Sequence, residues 1–342
     1  MRIAVVASPV TPLRPAQPGG AQAVLCDLAA GLTRRGHDVV LYCAEGSEVD
    51  GVKVVMVPRP RDAAAALVMP LGTPAPPAPG VEEAITAIFD AIASRPPDVV
   101  SQHAFDAPAF DASLDLPILH TLHLPPIVPA VVRAAATTSS DRLATVSQSC
   151  LRGWRSAGVE VGRLIRNGVP DVDVVATDPS RVALVAGRIS PEKGIEHALA
   201  AARIAGLPVR VAGALYDPGY EVDLDGADRL GELTRVDLRR VMAESAVTVC
   251  AVRWEEPFGL VAAEAQMAGC PVAAYRRGAM PEVVEEGVTG FLAEPDDIEA
   301  LAVAIGTCAG LDRERVRASA KRRLGLDGML DAYEQALREI AS

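Results

Sequence analysis

A chain of 342 residues, half of them hydrophobic, is long enough for two domains that each bury a core. A formal charge of −11 and a pI near 5.0 exclude the basic face that nucleic acid requires, and 4% aromatic residues provide no platform for stacked bases. The six cysteines (Cys26, Cys43, Cys150, Cys250, Cys270, Cys308) are scattered, with no Cys-x-x-Cys pair and no clustered histidines. Several, such as Cys43 and Cys250, fall in apolar runs, so reduced core cysteines of a cytoplasmic protein are expected in place of disulfides or zinc.

Short apolar runs alternate with amphipathic or Ala-rich segments, the pattern of parallel sheets covered by helices on both faces. In the first half the predicted strands are Arg2–Ala7, Asp38–Cys43, Val52–Val57, Asp98–His103, Ile118–His123 and Arg142–Val146. The opening Met-Arg-Ile-Ala-Val-Val is too short for a signal h-region, and no run of about 18 apolar residues is present to span a membrane. A helix from about Gly20 to Arg35 shows Val24, Leu28 and Leu32 on one face and stops at Gly36. Ahead of it, Gly19-Gly20 is either a plain turn or a place where backbone lies against a phosphate at a helix start. Residues 58–80, rich in Pro and Ala, are expected to form a loop. His120-Thr121-Leu122-His123 ends a strand, where open α/β sheets place ligands, and alternation puts the two histidines on opposite faces. His103 also ends a strand, and Ser147 is either a helix cap or a site residue. Gly-x-Gly-x-x-Gly is absent, which counts against a dehydrogenase.

Arg166-Asn167-Gly168-Val169-Pro170 is the candidate hinge, after which the pattern restarts. Strands are expected at Val182–Ala186, Pro208–Val211, Ala246–Ala251 and Pro271–Ala274, and a final helix at about Leu326–Ile340. Arg188 follows the first of these strands; Ser190 is a candidate N-cap, with Pro191 at N1 and Lys193 in the first turn of the next helix. Two cations at a strand end and helix start can clamp a diphosphate and stabilise a leaving group's growing charge. Further on, Glu256 and Glu264 bracket Pro257-Phe258-Gly259-Leu260, expected to start a helix with Pro257 at N1. Eight helical steps span about 12 Å, roughly the distance from a donor sugar across a diphosphate to its ribose. A carboxylate such as Glu264, amid Val-Ala-Ala and Ala-Gln-Met, requires a hydrogen-bond partner. The acidic triplets Asp171–Asp173 and Asp223–Asp225 are expected to be solvated carboxylates and not a metal site.

These motifs resemble those of family 4 retaining glycosyltransferases, strongly over residues 181–294 and more weakly over 1–150. The resemblance carried by Gly187-Arg188…Lys193-Gly194 and by the glutamate pair implies a GT-B fold, two Rossmann-like domains facing a cleft. It divides the chain into an acceptor-side domain at 1–165, a nucleotide-sugar domain at 166–325, and a last helix, 326–342, crossing back onto the first. It also implies transfer of a sugar from a nucleoside diphosphate, UDP foremost, to a hydroxyl acceptor, with no metal or other cofactor. By the same resemblance Glu264 accepts hydrogen bonds from ribose hydroxyls and Glu256 faces the donor sugar. Phe258, Gly259 and Leu260 amides meet sugar hydroxyls and phosphate, Gly231-Glu232-Leu233 resembles the base-binding loop, and His123 is the active-site histidine of a Thr-x-His segment. Gly19 and Gly20 would approach the diphosphate. Some members dock on lipid through a basic N-terminal face, but residues 1–165 hold 13 Lys/Arg against 15 Asp/Glu. The compact length suits a tailoring enzyme of secondary metabolism, and orthosomycin pathways such as avilamycin contain members of this family. The rival expectations are a GT-B epimerase and an inactive nucleotide-sugar binder.

Overall fold

The computed structural model describes residues 1–14, 20–61, 63, 80–112, 116–173, 178–215 and 219–342. The chain forms two compact units: Ala21–Arg166 with the chain's first residues and Met329–Ser342, and Asn167–Gly328. Both are α/β, each built on one all-parallel sheet.

In the first unit the elements run β1 (Arg2–Val6), α1 (Gly20–Arg34), β2 (Asp38–Ala44), β3 (Lys53–Val57), α2 (Val81–Ser94), β4 (Val99–Gln102), α3 (Pro108–Asp111), β5 (Ile118–Leu122), α4 (Pro129–Ala136), β6 (Leu143–Thr145), α5 (Gln148–Ser156) and β7 (Arg163–Leu164). The sheet order is β3-β2-β1-β4-β5-β6-β7. Strands β4, β5 and β6 are buried throughout, and from its second residue β1 is as well, because helices cover both faces. Helix α1 buries Val24, Leu28 and Leu32 and ends before Gly36, whose φ of 86° suits only glycine. Most of the expected loop at residues 58–80 lies outside the described residues, as does Gly19.

The second unit contains β8 (Ser180–Ala186), α6 (Ile195–Ile204), β9 (Val209–Ala212), β10 (Ala227–Gly231), α7 (Arg235–Glu244), β11 (Ser245–Cys250), α8 (Leu260–Met267), β12 (Val272–Tyr275), α9 (Met280–Val283), β13 (Gly290–Ala293), α10 (Ile298–Cys308) and α11 (Arg313–Leu324). Its sheet order, β10-β9-β8-β11-β12-β13, is the doubly wound arrangement. Ala183, Val185, Val247, Val249, Leu301 and Ile305 anchor its core. Val169 accepts a hydrogen bond from Leu326 N and donates one to Leu324 O, tying the start of this unit to its end.

Helix α12 (Leu326–Ala341) continues into the first unit. There Tyr333 donates to Thr121 Oγ1 at 3.2 Å, and Glu334 pairs with Arg35 and His37. Three strands are absent from the expectations above: β7 is two residues long, β10 is a polar edge strand, and β13 has a short Gly-Phe-Leu-Ala sequence. None carries the apolar run that marks a central strand. All six cysteines are buried. Among the described residues no helix is long and apolar enough to cross a membrane.

Candidate functional site

Strands β8 and β11 are neighbours in the second sheet although not in sequence. Connections leave such a pair toward opposite faces, which opens a crevice at the carboxyl ends of the strands. Arg188 lies two residues beyond β8, and Glu256 lies in the loop that follows β11. These loops are fastened to each other. Arg253 N donates to Glu192 O at 2.8 Å, and a Cβ on Gly194 would stand 2.0 Å from Ala251 O. On the other side Ala279 N donates to Glu256 O at 2.8 Å, while a Cβ on Gly278 would meet Glu256 N at 2.3 Å. Close backbone contact thus fixes Glu256 between the loops after β8 and β12.

Lys193 Nζ lies 2.8 Å from Glu256 Oε2, and Trp254 Nε1 donates to the same oxygen at 2.9 Å. The ammonium also stands 5.3 Å from the Trp254 ring centroid, within cation–π range. Arg188 faces Glu192 at 3.4 Å, and the Glu192 side chain is buried. Glu264, on α8, is buried and accepts from Arg235 Nε at 2.7 Å and Arg239 Nη2 at 3.3 Å. Both arginines project from α7, one helical turn apart. Arg235, Arg239, Trp254 and Glu192 were not singled out in the sequence. The i, i+4 arginine pair was the available signal for the partner that Glu264 required.

Two local expectations are corrected. Helix α8 begins at Leu260, with Gly259 as N-cap at φ 95°, so Pro257 precedes the helix and is not N1. The interval from Glu256 to Gly259 is loop, so helical rise applies only to the later steps toward Glu264. Likewise Lys193 closes a separate 3₁₀ turn, Pro191–Lys193, and α6 starts only at Ile195. Ser190 holds the N-cap position with Pro191 at N1, but its hydroxyl makes no capping bond. Phe258 is buried below the α8 entrance, where the first amides lack intrahelical acceptors. Gly231 ends β10 and its carbonyl accepts a hydrogen bond from Gly213 N; Leu233 leads to Thr234, the N-cap of α7. Asp171 is paired with Arg317 and Lys321 at 2.6 Å each, which holds its carboxyl below the usual range against the opposing effect of burial. Asp223 accepts from Asp225 N at 2.8 Å.

In the first unit, β5 alternation separates the two histidines. His120 stacks on Phe110 with ring centroids 4.5 Å apart, while His123 faces His103. Ser101 Oγ, His103 Nε2, His103 Nδ1 and His123 Nε2 form a buried chain with both contacts at 2.8 Å. Burial pushes His123 down to about 4 and His120 to about 3, and lowers His103 as well. All three imidazoles are therefore neutral at pH 7. If Ser101 donates into the chain, His123 Nδ1 carries the hydrogen; with the chain reversed, His123 Nδ1 is an acceptor. Ser147 is the N-cap of α5, accepting from Cys150 N at 3.0 Å. Gly20 is the first residue of α1, with φ 37°.

These two parallel-sheet domains have the GT-B fold of glycosyltransferases. The chain carries a domain matching the Glycosyltransferase Family 4 model at residues 18–172, followed by one matching Glycosyl transferases group 1 at residues 173–323. A curated relative, D-inositol 3-phosphate glycosyltransferase of Mycobacterium avium (strain 104), is 35% identical over 188 residues, covering 47% of this chain and 43% of that protein. The match thus spans less than half the length of that relative. Among solved structures, Anabaena HepE in complex with UDP-glucose superposes with a TM-score of 0.76 at 21% identity, covering 99% of this chain and 100% of HepE. AviGT4, a glycosyltransferase involved in avilamycin A biosynthesis, gives 0.73 at 22% identity, covering 100% and 98%.

Proposed function

We propose that the protein is a retaining, metal-independent glycosyltransferase that moves a sugar from a nucleoside diphosphate, UDP foremost, to a hydroxyl acceptor. The observation that carries this reading is the gathering of Arg188, Lys193 and Glu256 at the switch point of one sheet, with Glu264 on the helix that follows. The guanidinium, the ammonium and the amides opening α8 supply positive charge for a diphosphate, so a divalent ion is not required to neutralise it. Their attraction grows as the sugar–phosphate bond breaks and charge collects on the leaving oxygen. Glu264, held by two arginines, is the acceptor for ribose hydroxyls, and Glu256 the carboxylate beside the donor sugar. Neutral His123 offers a hydrogen bond without adding a charge.

Retention follows from front-face attack: the acceptor oxygen bonds to the anomeric carbon as the phosphate departs from the same face. The departing phosphate oxygen takes the acceptor's proton, so no carboxylate nucleophile is needed. A role in antibiotic tailoring is part of the proposal, suggested by the shared fold of AviGT4, a glycosyltransferase involved in avilamycin A biosynthesis. HepE, solved with UDP-glucose, supports the choice of donor. A thermal-shift screen against UDP, dTDP and GDP, followed by product analysis of the matching nucleotide sugar, tests the reading. Stabilisation by UDP and its release from UDP-glucose are expected. No stabilisation by any of the three would overturn the assignment.

A further inference from the structure

The first sheet repeats the switch-point geometry of the second, with β1 and β4 adjacent but not consecutive. Ser8 lies two residues beyond β1 and Asp106 four beyond β4. Ser8 Oγ donates to Asp106 Oδ2 at 3.0 Å across that crevice. Asp106 is part-buried, and the Ser8 hydroxyl is the single hydrogen-bond partner of its carboxylate among the described residues. It is not a helix cap, since α3 has Ala107 as N-cap and no side-chain capping bond. Among the described residues no cation pairs with it, and Arg14 and Arg59 direct their Nε atoms to the carbonyls of Gly46 and Val10. Burial pushes its carboxyl up, and only the Ser8 hydrogen bond opposes that. One neutral hydroxyl only partly satisfies a part-buried carboxylate, so the group is open to a further donor.

The two switch points therefore differ in their charged groups. The second carries Arg188 and Lys193 beside Glu192 and Glu256, whereas the first carries, among the described residues, a carboxylate, a hydroxyl and the neutral pair His103 and His123. We propose that Ser8 and Asp106 form the acceptor-orienting site of the first unit, and that the acceptor is an uncharged polyol or an amine-bearing one, not a phosphate ester. This rests on the glycosyltransferase reading above and extends it to the class of acceptor. Asp106 takes a hydrogen bond from an acceptor hydroxyl or ammonium, and Ser8 fixes the carboxylate's orientation. A phosphate at the same place would face the carboxylate, which no cation pairs with among the described residues, and would be repelled. The D-inositol 3-phosphate named for the mycobacterial relatives belongs to the excluded class.

The test uses the full chain with the nucleotide sugar selected by the thermal screen. Myo-inositol and glucosamine are offered beside D-inositol 3-phosphate and glucose 6-phosphate, and transfer is read by mass spectrometry. Transfer to the unphosphorylated members is expected, with kcat/KM for Asp106→Asn falling about 100-fold. Ser8→Ala is expected to lose about tenfold, as a neutral hydrogen bond to a charged group is removed. UDP affinity of both variants and the unfolding midpoint of Asp106→Asn should not fall, which separates the effect from misfolding. Preference for the phosphate esters, or an Asp106→Asn enzyme equal to wild type, would overturn the inference. Absence of nucleotide binding by the wild-type protein would instead remove the glycosyltransferase reading, and this one with it.

Discussion

Arg235 on α7 donates through Nε to Glu264 Oε1 on α8 at 2.7 Å, with both side chains almost fully buried. Residues 29 positions apart in sequence thus form an ion pair inside the second unit, supported by Arg239 at 3.3 Å. Removing one member strands a charge in a desolvated place. Arg235→Ala is expected to lower unfolding free energy by roughly 3 kcal/mol. It should also weaken UDP binding, because the carboxylate loses its aim. Urea titration and calorimetry read the two effects, and an unchanged UDP affinity would detach Arg235 from the donor site.

Arg188→Ala and Lys193→Ala each remove a cation from the loop after β8. Turnover is expected to fall by about 10²–10³ in each, the scale seen when one preorganised donor to a developing charge is lost. Both side chains are partly exposed, so the far-UV spectrum and unfolding midpoint should stay near wild type. Wild-type turnover in the Arg188→Ala enzyme would refute the clamp.

Gly278 sits at φ 60°, and a Cβ there would meet backbone atoms of Glu256. Gly278→Ala must move either the loop after β12 or the one carrying Glu256. A cost of about 2 kcal/mol or more is expected from the left-handed conformation and the contact together. Kinetics should show a lower kcat, and a wild-type kcat would mean Glu256 tolerates displacement.

The buried histidines set an acid limit. With folded values of about 4 for His123 and about 3 for His120 against 6.5 unfolded, both states are neutral above pH 6.5 and stability is fully expressed there. Below pH 6.5 the unfolded chain binds protons that the folded chain refuses, so stability falls as pH drops toward the folded values. For His123 alone the loss between pH 6.5 and 4 is on the order of 3 kcal/mol. Urea midpoints at pH 7, 6, 5 and 4.5 should decline, and His123→Gln should flatten the decline.

Asp106 predicts the opposite slope. Its raised carboxyl means the folded state holds a proton more tightly than the unfolded one, so stability is lost as pH rises through the folded value. Asp106→Asn should therefore unfold at a higher temperature than wild type at pH 7, with the advantage vanishing near pH 3. A less stable variant at pH 7 would show that the Ser8 hydrogen bond outweighs desolvation.

The periodic apolar runs of the sequence determined the α/β class, most central strands and the two-sheet plan, because burial on both faces leaves a local signature at β1, β4, β5, β8 and β11. Local chemistry also marked Arg188, Lys193, Glu256 and Glu264, whose residue types stand out beside strand ends and on an apolar helix. Only the tertiary structure decided the partners: Arg235 and Arg239 for Glu264, Trp254 beside Lys193, His103 for His123, and Ser8 for Asp106. Strand order sets those meetings, since a parallel sheet brings β1 beside β4 and β8 beside β11 across long stretches of chain. Hydrogen bonds between such distant residues leave no periodicity to read, and the sign of charge at each sheet's carboxyl edge exists only once the strands have paired.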